Sequence, residues 1–216
     1  MEIEGKMGGL YRAAEWVTRL AYVNGLWILF SAAGLFILGF FPATAAMFAV
    51  IRKWITKEPD VPVFRTFWKE IKKEFLRANG IGYVFVALGY FIYVDIGLIQ
   101  RIDSPLSIVL LLLLGSASIL LVNTLLFTFP MLAQYELPFI QYFKYSFLIG
   151  IASPFVTVIT ILGLLLWYVI LHVAPALSVF FGGSTMAFLI MWFSLRSFDH
   201  IEQKHSLAQS QQEMPR

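Results

Sequence analysis

Residues 106–129 form a run of 24 residues without a single charged side chain. A helix that crosses the hydrocarbon core of a bilayer needs about 20 predominantly apolar residues. Because lipid offers no hydrogen bonds to an exposed backbone, such a run must fold as a helix that satisfies its own backbone groups. The run therefore predicts a membrane-spanning helix, and it restricts the rest of the chain to folds that a membrane accommodates.

The composition extends this prediction to the whole chain. Hydrophobic residues make up 59% and charged residues 13% of the 216 residues, whereas soluble domains have about 45–50% and about 25%. Cysteine is absent, which excludes disulfides, thiolate metal ligands and a cysteine nucleophile. We expect one integral membrane helical domain at residues 1–200 and a polar, disordered tail at residues 201–216.

Six apolar segments are predicted, at residues 20–41, 43–54, 80–100, 106–129, 147–171 and 176–195. The second is short for a span, at about 20 Å of helix. Pro42 breaks the chain before it, and Arg52, Lys53 and Trp54 are typical of its return to the interface. Residues 1–19 form either an amphipathic helix on the membrane or an extension of the first span.

The positions of lysine and arginine favour one arrangement of the first two segments. If residues 20–54 form a hairpin, fifteen of the sixteen basic residues lie on one side of the membrane. If residues 20–51 cross once, twelve basic residues lie on one side of the membrane and four on the other. The positive-inside rule favours the hairpin, with both termini cytoplasmic. The expected fold is all-α, a polytopic transmembrane helix bundle of about six membrane segments.

Residues 63–77 predict an amphipathic helix on the cytoplasmic face, with apolar side chains at helical spacing and charged ones, including Glu70 and Glu74, on the other face. Such a helix suits an anionic lipid surface or a protein partner. A nucleic-acid partner is not indicated, because the aromatic residues serve the membrane and no recognition motif is present. The predicted membrane-surface or partner-binding residues are Phe64, Phe67, Trp68, Lys69, Ile71, Lys72, Lys73 and Phe75.

Three polar residues within apolar segments, Asn24, Asp95 and Asn123, are candidates for an intramembrane site. An ionisable group in a span is a functional candidate by default. Asp95, however, lies about 22 Å along the predicted helix from Gly80, so that a solvated end residue or a pair with Arg101 is the simpler interpretation. Asn123 fits helix packing better than a substrate site.

The sequence contains no pattern that indicates enzymatic chemistry. It has no GxxxxGK[ST] phosphate loop, no HExxH and no GxSxG. His172 stands alone, and His200 and His205 do not share a helix face, so no metal site is expected. We therefore expect a protein without enzyme activity, cofactor or metal.

A short sequence pattern, which we call the internal echo, is repeated in two helices that each lead into a span. Five similar positions in an aromatic-rich chain are weak evidence for a duplicated unit. At an offset of 72 residues, Phe67, Ile71, Lys72, Phe75 and Leu76 match Phe139, Phe143, Lys144, Phe147 and Leu148.

Four short segments carry a resemblance: residues 39–46 (GFFPATAA), 50–54 (VIRKW), 67–69 (FWK), and 7–11 (MGGLY) with Glu15 and Trp16. Over residues 5–200 the chain resembles the YesL family of bacterial integral membrane proteins. The family lacks an established molecular function, and its members are typically encoded beside components of sugar-import ABC transporters in Gram-positive bacteria. The resemblance implies an accessory role in carbohydrate uptake at the bacterial plasma membrane, with the lipid bilayer and sugar-permease subunits as partners.

Two other functions remain open on the sequence. An independent small-solute transporter would have its site near Asp95, Asn24 or Asn123, although proton-coupled transport usually relies on buried ionisable groups and only Asp95 offers one. A membrane sensor would instead pass a signal to a cytoplasmic partner and regulate carbohydrate utilisation.

Overall fold

The computed structural model describes the backbone of residues 2–56 and 61–212, and the side chains of residues 11, 14–56 and 61–200. The described backbone is helical throughout, apart from turns and short connections, which confirms the all-α prediction. The helices are α1 (Glu2–Ala33), α2 (Phe40–Ile55), α3 (Val63–Ile99), α4 (Pro105–Gln134), α5 (Phe139–Ala152), α6 (Pro154–Val173) and α7 (Ala176–Gln212).

Four of the described helices are long and apolar enough to cross a membrane, by length and composition: α3, α4, α6 and the Ala176–His200 part of α7. With 16 residues, α2 is shorter than the stretch of about 20 residues that a span requires. The structure therefore supports an all-α bundle of the membrane type. It does not support the predicted number of six segments.

The first two helices pack antiparallel as a hairpin. Trp16 in α1 lies edge-on to Trp54 at the end of α2, with ring centroids 6.1 Å apart. Nearer the turn, Trp27 donates a hydrogen bond of 3.0 Å to the hydroxyl of Thr44. Residues 20–51 are therefore not a single kinked helix. Because α1 is continuous from Glu2, residues 2–19 are an extension of the helix that follows rather than a separate one.

The break in this hairpin lies at residues 34–39 and not at Pro42, so the predicted first span of residues 20–41 is too long. Phe36 N donates to Ser31 O at 2.7 Å and Leu35 N donates to Ala32 O at 2.9 Å. These two bonds form a Schellman motif, which ends α1. Pro42 lies buried in the first turn of α2, where its missing N–H removes no helical hydrogen bond.

The left-handed position of this motif is occupied by Leu35, with a φ of 54°, and not by a glycine. A non-glycine residue in this conformation is strained by about 1–2 kcal/mol. The nearby Gly34 serves a different purpose, because a Cβ atom there would lie 2.4 Å from Gly39 Cα. The close approach of the two chain segments thus decides where the glycines are needed.

Helix α2 is the centre of the bundle. Ten of its residues are buried, and it packs against α1, α3, α4 and α7. Two Phe-Pro pairs meet in this core, since Phe41 and Phe129 stack with ring centroids 6.4 Å apart and an interplanar angle of 10°. Pro42 and Pro130, which follow them, are both fully buried. This contact ties α2 to α4.

Three later boundaries also differ from the sequence prediction. The fourth span, predicted at residues 106–129, continues through Pro130 to Gln134 in α4. The predicted span of residues 147–171 is divided into α5 and α6, and Pro154 occupies the first position of α6, where its missing N–H removes no helical hydrogen bond. The last helix, α7, continues past Arg196 to Gln212, so residues 201–212 of the expected tail are helical. Glutamine, alanine, leucine and lysine in this stretch are good helix formers. Residues 213–216 of the tail lie outside the described residues.

Candidate functional site

The first half of α3 has two apolar surfaces, one buried and one exposed. Phe67 and Ile71 are 0% and 8% exposed and belong to the core. Phe64, Trp68 and Phe75 remain 51%, 41% and 37% exposed. The predicted binding face is therefore divided into residues that fix the helix and residues that are available for contact. We define the exposed stripe as Phe64, Trp68, Lys72, Phe75 and Leu76.

Glu74 lies on the buried face, and its predicted place on the polar face is wrong. Phe67, Ile71 and Glu74 follow one another at i, i+4 and i+7, a spacing that places them on one side of a helix. The Glu74 side chain is only 6% exposed, and its carboxylate accepts bonds of 3.0 and 3.2 Å from Arg77 Nη1. A buried carboxylate needs such a partner. The same helical spacing, counted from Phe67, would have predicted from the sequence that Glu74 lies on the buried face.

Tyr142 connects this ion pair to the α4–α5 loop, residues 135–138. Its side chain is fully buried, and its hydroxyl donates to Tyr135 O at 3.0 Å and accepts from Leu137 N at 2.9 Å. Arg77 Nη1 donates to the same hydroxyl at 3.5 Å. Lys73 forms an ion pair with Glu136 in the loop. We refer to Lys73, Glu74, Arg77, Glu136 and Tyr142 as the loop clamp.

The Lys73–Glu136 pair of the clamp depends on pH. A hydrogen bond from Lys73, and then its charge, lower the pKa of the Glu136 carboxyl from its ordinary value of 4.5. Because the pKa of the folded state is the lower one, the pair stabilises the fold above pH 4.5 and this stabilisation is lost as the pH falls through the folded pKa. We expect the α4–α5 loop to gain mobility below pH 4.5.

A single spin label measures this change, because the chain has no native cysteine. Ile140, which is 76% exposed and next to the loop, can be replaced by cysteine and labelled. The electron paramagnetic resonance spectrum should sharpen on acidification in the labelled protein. The same label in a Glu136→Gln background should show no such change. An equal response in both would contradict the assignment to Glu136.

A groove of about 520 Å³ runs beside the exposed stripe. One wall comes from the end of α1 and the turn that follows it, and the other from α3. Phe30 of α1 packs against Trp68 of α3, with ring centroids 5.3 Å apart. The ammonium group of Lys72 lies 4.6 Å from the centre of the Trp68 ring. The arrangement is an apolar groove with a cation at its rim.

The internal echo has a structural counterpart. Ile71, Lys72 and Phe75 line the groove beside the stripe, and their matches Phe143, Lys144 and Phe147 line a second one of about 490 Å³. The second groove lies between α3, α4 and α5. Each copy of the pattern thus places a lysine beside an apolar groove.

The structure does not bring the three intramembrane polar candidates together. Asn24 is fully buried between α1 and α7, where Nδ2 donates to Val179 O at 2.8 Å. Its Oδ1 accepts from Gly183 N at 3.0 Å and from Ser184 N at 2.9 Å. The side chain therefore takes over part of the backbone ladder of α7. This use of the amide is structural.

The other two candidates lie elsewhere. Asn123 accepts a bond of 3.2 Å from Thr157, and it sits so close to α5 that a Cβ atom on Gly150 would lie 2.5 Å from it. Asp95 is exposed near the end of α3, and among the described side chains it forms no ion pair with Arg101.

Of the residues predicted to return α2 to the interface, Trp54 and Arg52 contact other helices. Trp54 is 5% exposed and belongs to the core, with the Arg19 guanidinium 5.9 Å from its ring centre. Arg52 donates a bond of 3.3 Å to Gln134 of α4, and Lys53 is half-buried. Within the described part of the chain, no group of three histidine, aspartate or glutamate side chains could hold a metal ion.

These helices and surfaces define a class, that of helical membrane-type proteins. Residues 20–96 match the family model described as Protein of unknown function, DUF624. The uncharacterised Bacillus subtilis protein YteU is 36% identical over 88% of this chain and 86% of its own length. YesV of the same organism is 35% identical over 92% of this chain and 96% of its own length. YesL is 34% identical over 94% of this chain and 95% of its own length. No solved structure matches the chain.

The chain therefore belongs to the YesL-like family. The most specific part of the resemblance, the FPATAA…RKW segment of residues 41–54, lies within the buried helix α2. Its place in the core gives this segment a structural explanation. The exposed surface of α3 lies outside it.

Proposed function

We propose that this protein is a non-enzymatic accessory protein of a carbohydrate ABC importer in the bacterial plasma membrane. It acts by presenting the exposed stripe of α3 to a permease subunit on the cytoplasmic side. The observation that carries the proposal is the division of α3, in which Phe67 and Ile71 anchor the helix while Phe64 and Trp68 stay exposed. Tryptophan is one of the residue types that dominate binding energy at protein interfaces.

The rigid placement of α3 supports this role. The helix is packed against α2 on its buried face and joined to the α4–α5 loop by the clamp. A surface held from two sides loses little conformational entropy when a partner binds. The carbohydrate part of the proposal rests on the resemblance to the YesL family and the sugar-import genes beside its members.

The polar residues favour an accessory protein over an independent transporter. Asn24 and Asn123 use their side chains in contacts between helices. A substrate site built on them would have to break those contacts first. Asp95 lies apart from both, among the residues of α3 that line the second groove.

Sugar uptake in a deletion strain tests the proposal. We expect uptake to fall on deletion, to recover with the wild-type gene, and to stay at the deletion level with the double variant Phe64→Glu, Trp68→Glu. Ile140→Glu is the matched control, because Ile140 is exposed on α5 and lies outside the stripe. Membrane levels of each variant are measured by immunoblot. Normal uptake in the deletion strain, or full rescue by the double variant, would refute the accessory role.

A further inference from the structure

We infer that the groove beside Lys72 is a binding site for an anionic phospholipid, whose phosphate contacts Lys72 and whose acyl chain lies along the groove. The inference goes beyond the accessory role and does not depend on it. A lipid is the expected ligand, because the groove and its surroundings combine apolar and basic side chains, as at the boundary between a membrane and water.

The walls of the groove suit an acyl chain. Phe30 and Ala33 contribute from α1, Pro42 from α2, and Ile71 and Phe75 from α3. Pro42 and Ile71 are buried, so they form a fixed floor. A flexible apolar chain gains free energy for every methylene group that it removes from water in such a groove.

The charge at the rim suits a phosphate. Among the described side chains Lys72 forms no ion pair, whereas its neighbour Lys73 is paired with Glu74 and Glu136. Within this described part of the chain, no carboxylate lies within 4.0 Å of the Lys72 ammonium group. Residues 63–77 carry five basic and two acidic side chains, which makes this end of α3 attractive to anionic headgroups.

The turn that closes the groove has the properties of a lipid-exposed segment. Leu35 and Phe36 are 80% and 58% exposed, and the two apolar residues that follow are exposed as well. The carbonyl groups of those two residues are satisfied by α3, since Tyr83 donates to Ile37 O at 2.6 Å and Asn79 to Leu38 O at 3.0 Å. Backbone groups must be satisfied in this way where no water is present. The groove thus lies between an apolar tip and a basic helix.

Quenching of tryptophan fluorescence by brominated acyl chains tests the inference on the purified full-length protein. The difference between wild type and Trp68→Phe isolates the signal of Trp68 from that of the other tryptophans. In zwitterionic detergent micelles, brominated phosphatidylglycerol should half-quench this signal at about fivefold lower concentration than brominated phosphatidylcholine. Ala33→Phe, which fills the groove, should weaken quenching by both lipids.

Two charge reversals on one helix provide the control, each compared with its own Trp68→Phe counterpart. Lys72→Glu should abolish the preference for phosphatidylglycerol. Lys69→Glu makes the same change in charge outside the groove and should keep the preference. Equal quenching by the two lipids, or loss of the preference in both variants, would overturn the inference. Because no permease is present, a failure here does not bear on the accessory role, and normal sugar uptake does not bear on lipid binding.

Discussion

Replacing Asn24 with alanine is expected to lower the free energy of unfolding by about 2 kcal/mol. The side chain is fully buried and serves three backbone groups of α7, at Val179, Gly183 and Ser184. Removal of a buried hydrogen-bond partner costs about 1–3 kcal/mol for each group left unsatisfied. The total stays below the sum of three such costs, because α7 can recover part of its own backbone ladder.

Recovery of that ladder is limited by packing. Gly183 lies so close to α1 that a Cβ atom there would be 3.2 Å from both Asn24 Oδ1 and the Trp27 ring. A rearranged α7 backbone would have to move against this surface. The missing amide therefore leaves either unsatisfied backbone groups or a shifted helix contact.

Thermal unfolding in mild detergent, followed by tryptophan fluorescence, measures the effect. Asn123→Ala is the matched control, because that asparagine makes one described bond to Thr157, at 3.2 Å. Its loss should cost about 0.6 kcal/mol, the average for polar contacts between membrane helices. If both variants unfold at the same temperature, the contact of Asn24 with α7 does not have the structural importance assigned here.

Asn24 also shows what the sequence could and could not predict. Long apolar runs determine helices in a membrane, because lipid leaves the backbone no other way to satisfy its polar groups. A polar residue inside such a run therefore stands out in the sequence. The groups that bind it cannot be recognised in the sequence, because Val179 and Gly183 lie 155 and 159 positions away and contribute only backbone atoms.

The boundaries of α1 and α2 were less predictable for a different physical reason. Proline is accepted in the first turn of a helix as well as between helices, so Pro42 allowed both positions. The turn itself depends on the approach of Gly34 to Gly39, which places Leu35 in a conformation that its side chain disfavours. Tertiary contacts thus overrode the local preference.

The sequence predicted the apolar face of α3, and the structure divides that face into a buried part and an exposed part. Helical spacing identified Phe64, Phe67 and Trp68 as one apolar face. That spacing cannot tell which part of a wide face meets another helix, because the answer depends on where α2 lies. Glu74 falls on the packed part and needed Arg77 as a partner. The exposed part is the one that a lipid or a protein can reach.

Replacing Gly39 with alanine is expected to destabilise the fold by about 3 kcal/mol, the upper end of the usual cost of overpacking. Gly39 has a φ of −90°, which any residue adopts, so the cost arises from contacts alone. A Cβ atom there would lie 2.4 Å from Phe30 O and 2.8 Å from Ser31 O. Both are backbone atoms of α1, so they can move away only if the hairpin opens.

Gly25→Ala is the control for this substitution, since a Cβ atom at Gly25 would meet no heavy atom within 4 Å. Alanine stabilises a helix interior by about 1 kcal/mol relative to glycine, so this variant should unfold at the same temperature as the wild type or above it. The Gly39→Ala variant should unfold well below it, or accumulate poorly in membranes. Opening of the hairpin would also separate Phe30 from Trp68 and disrupt the groove beside Lys72. A Gly39→Ala protein with wild-type stability would show that the turn can relax without opening.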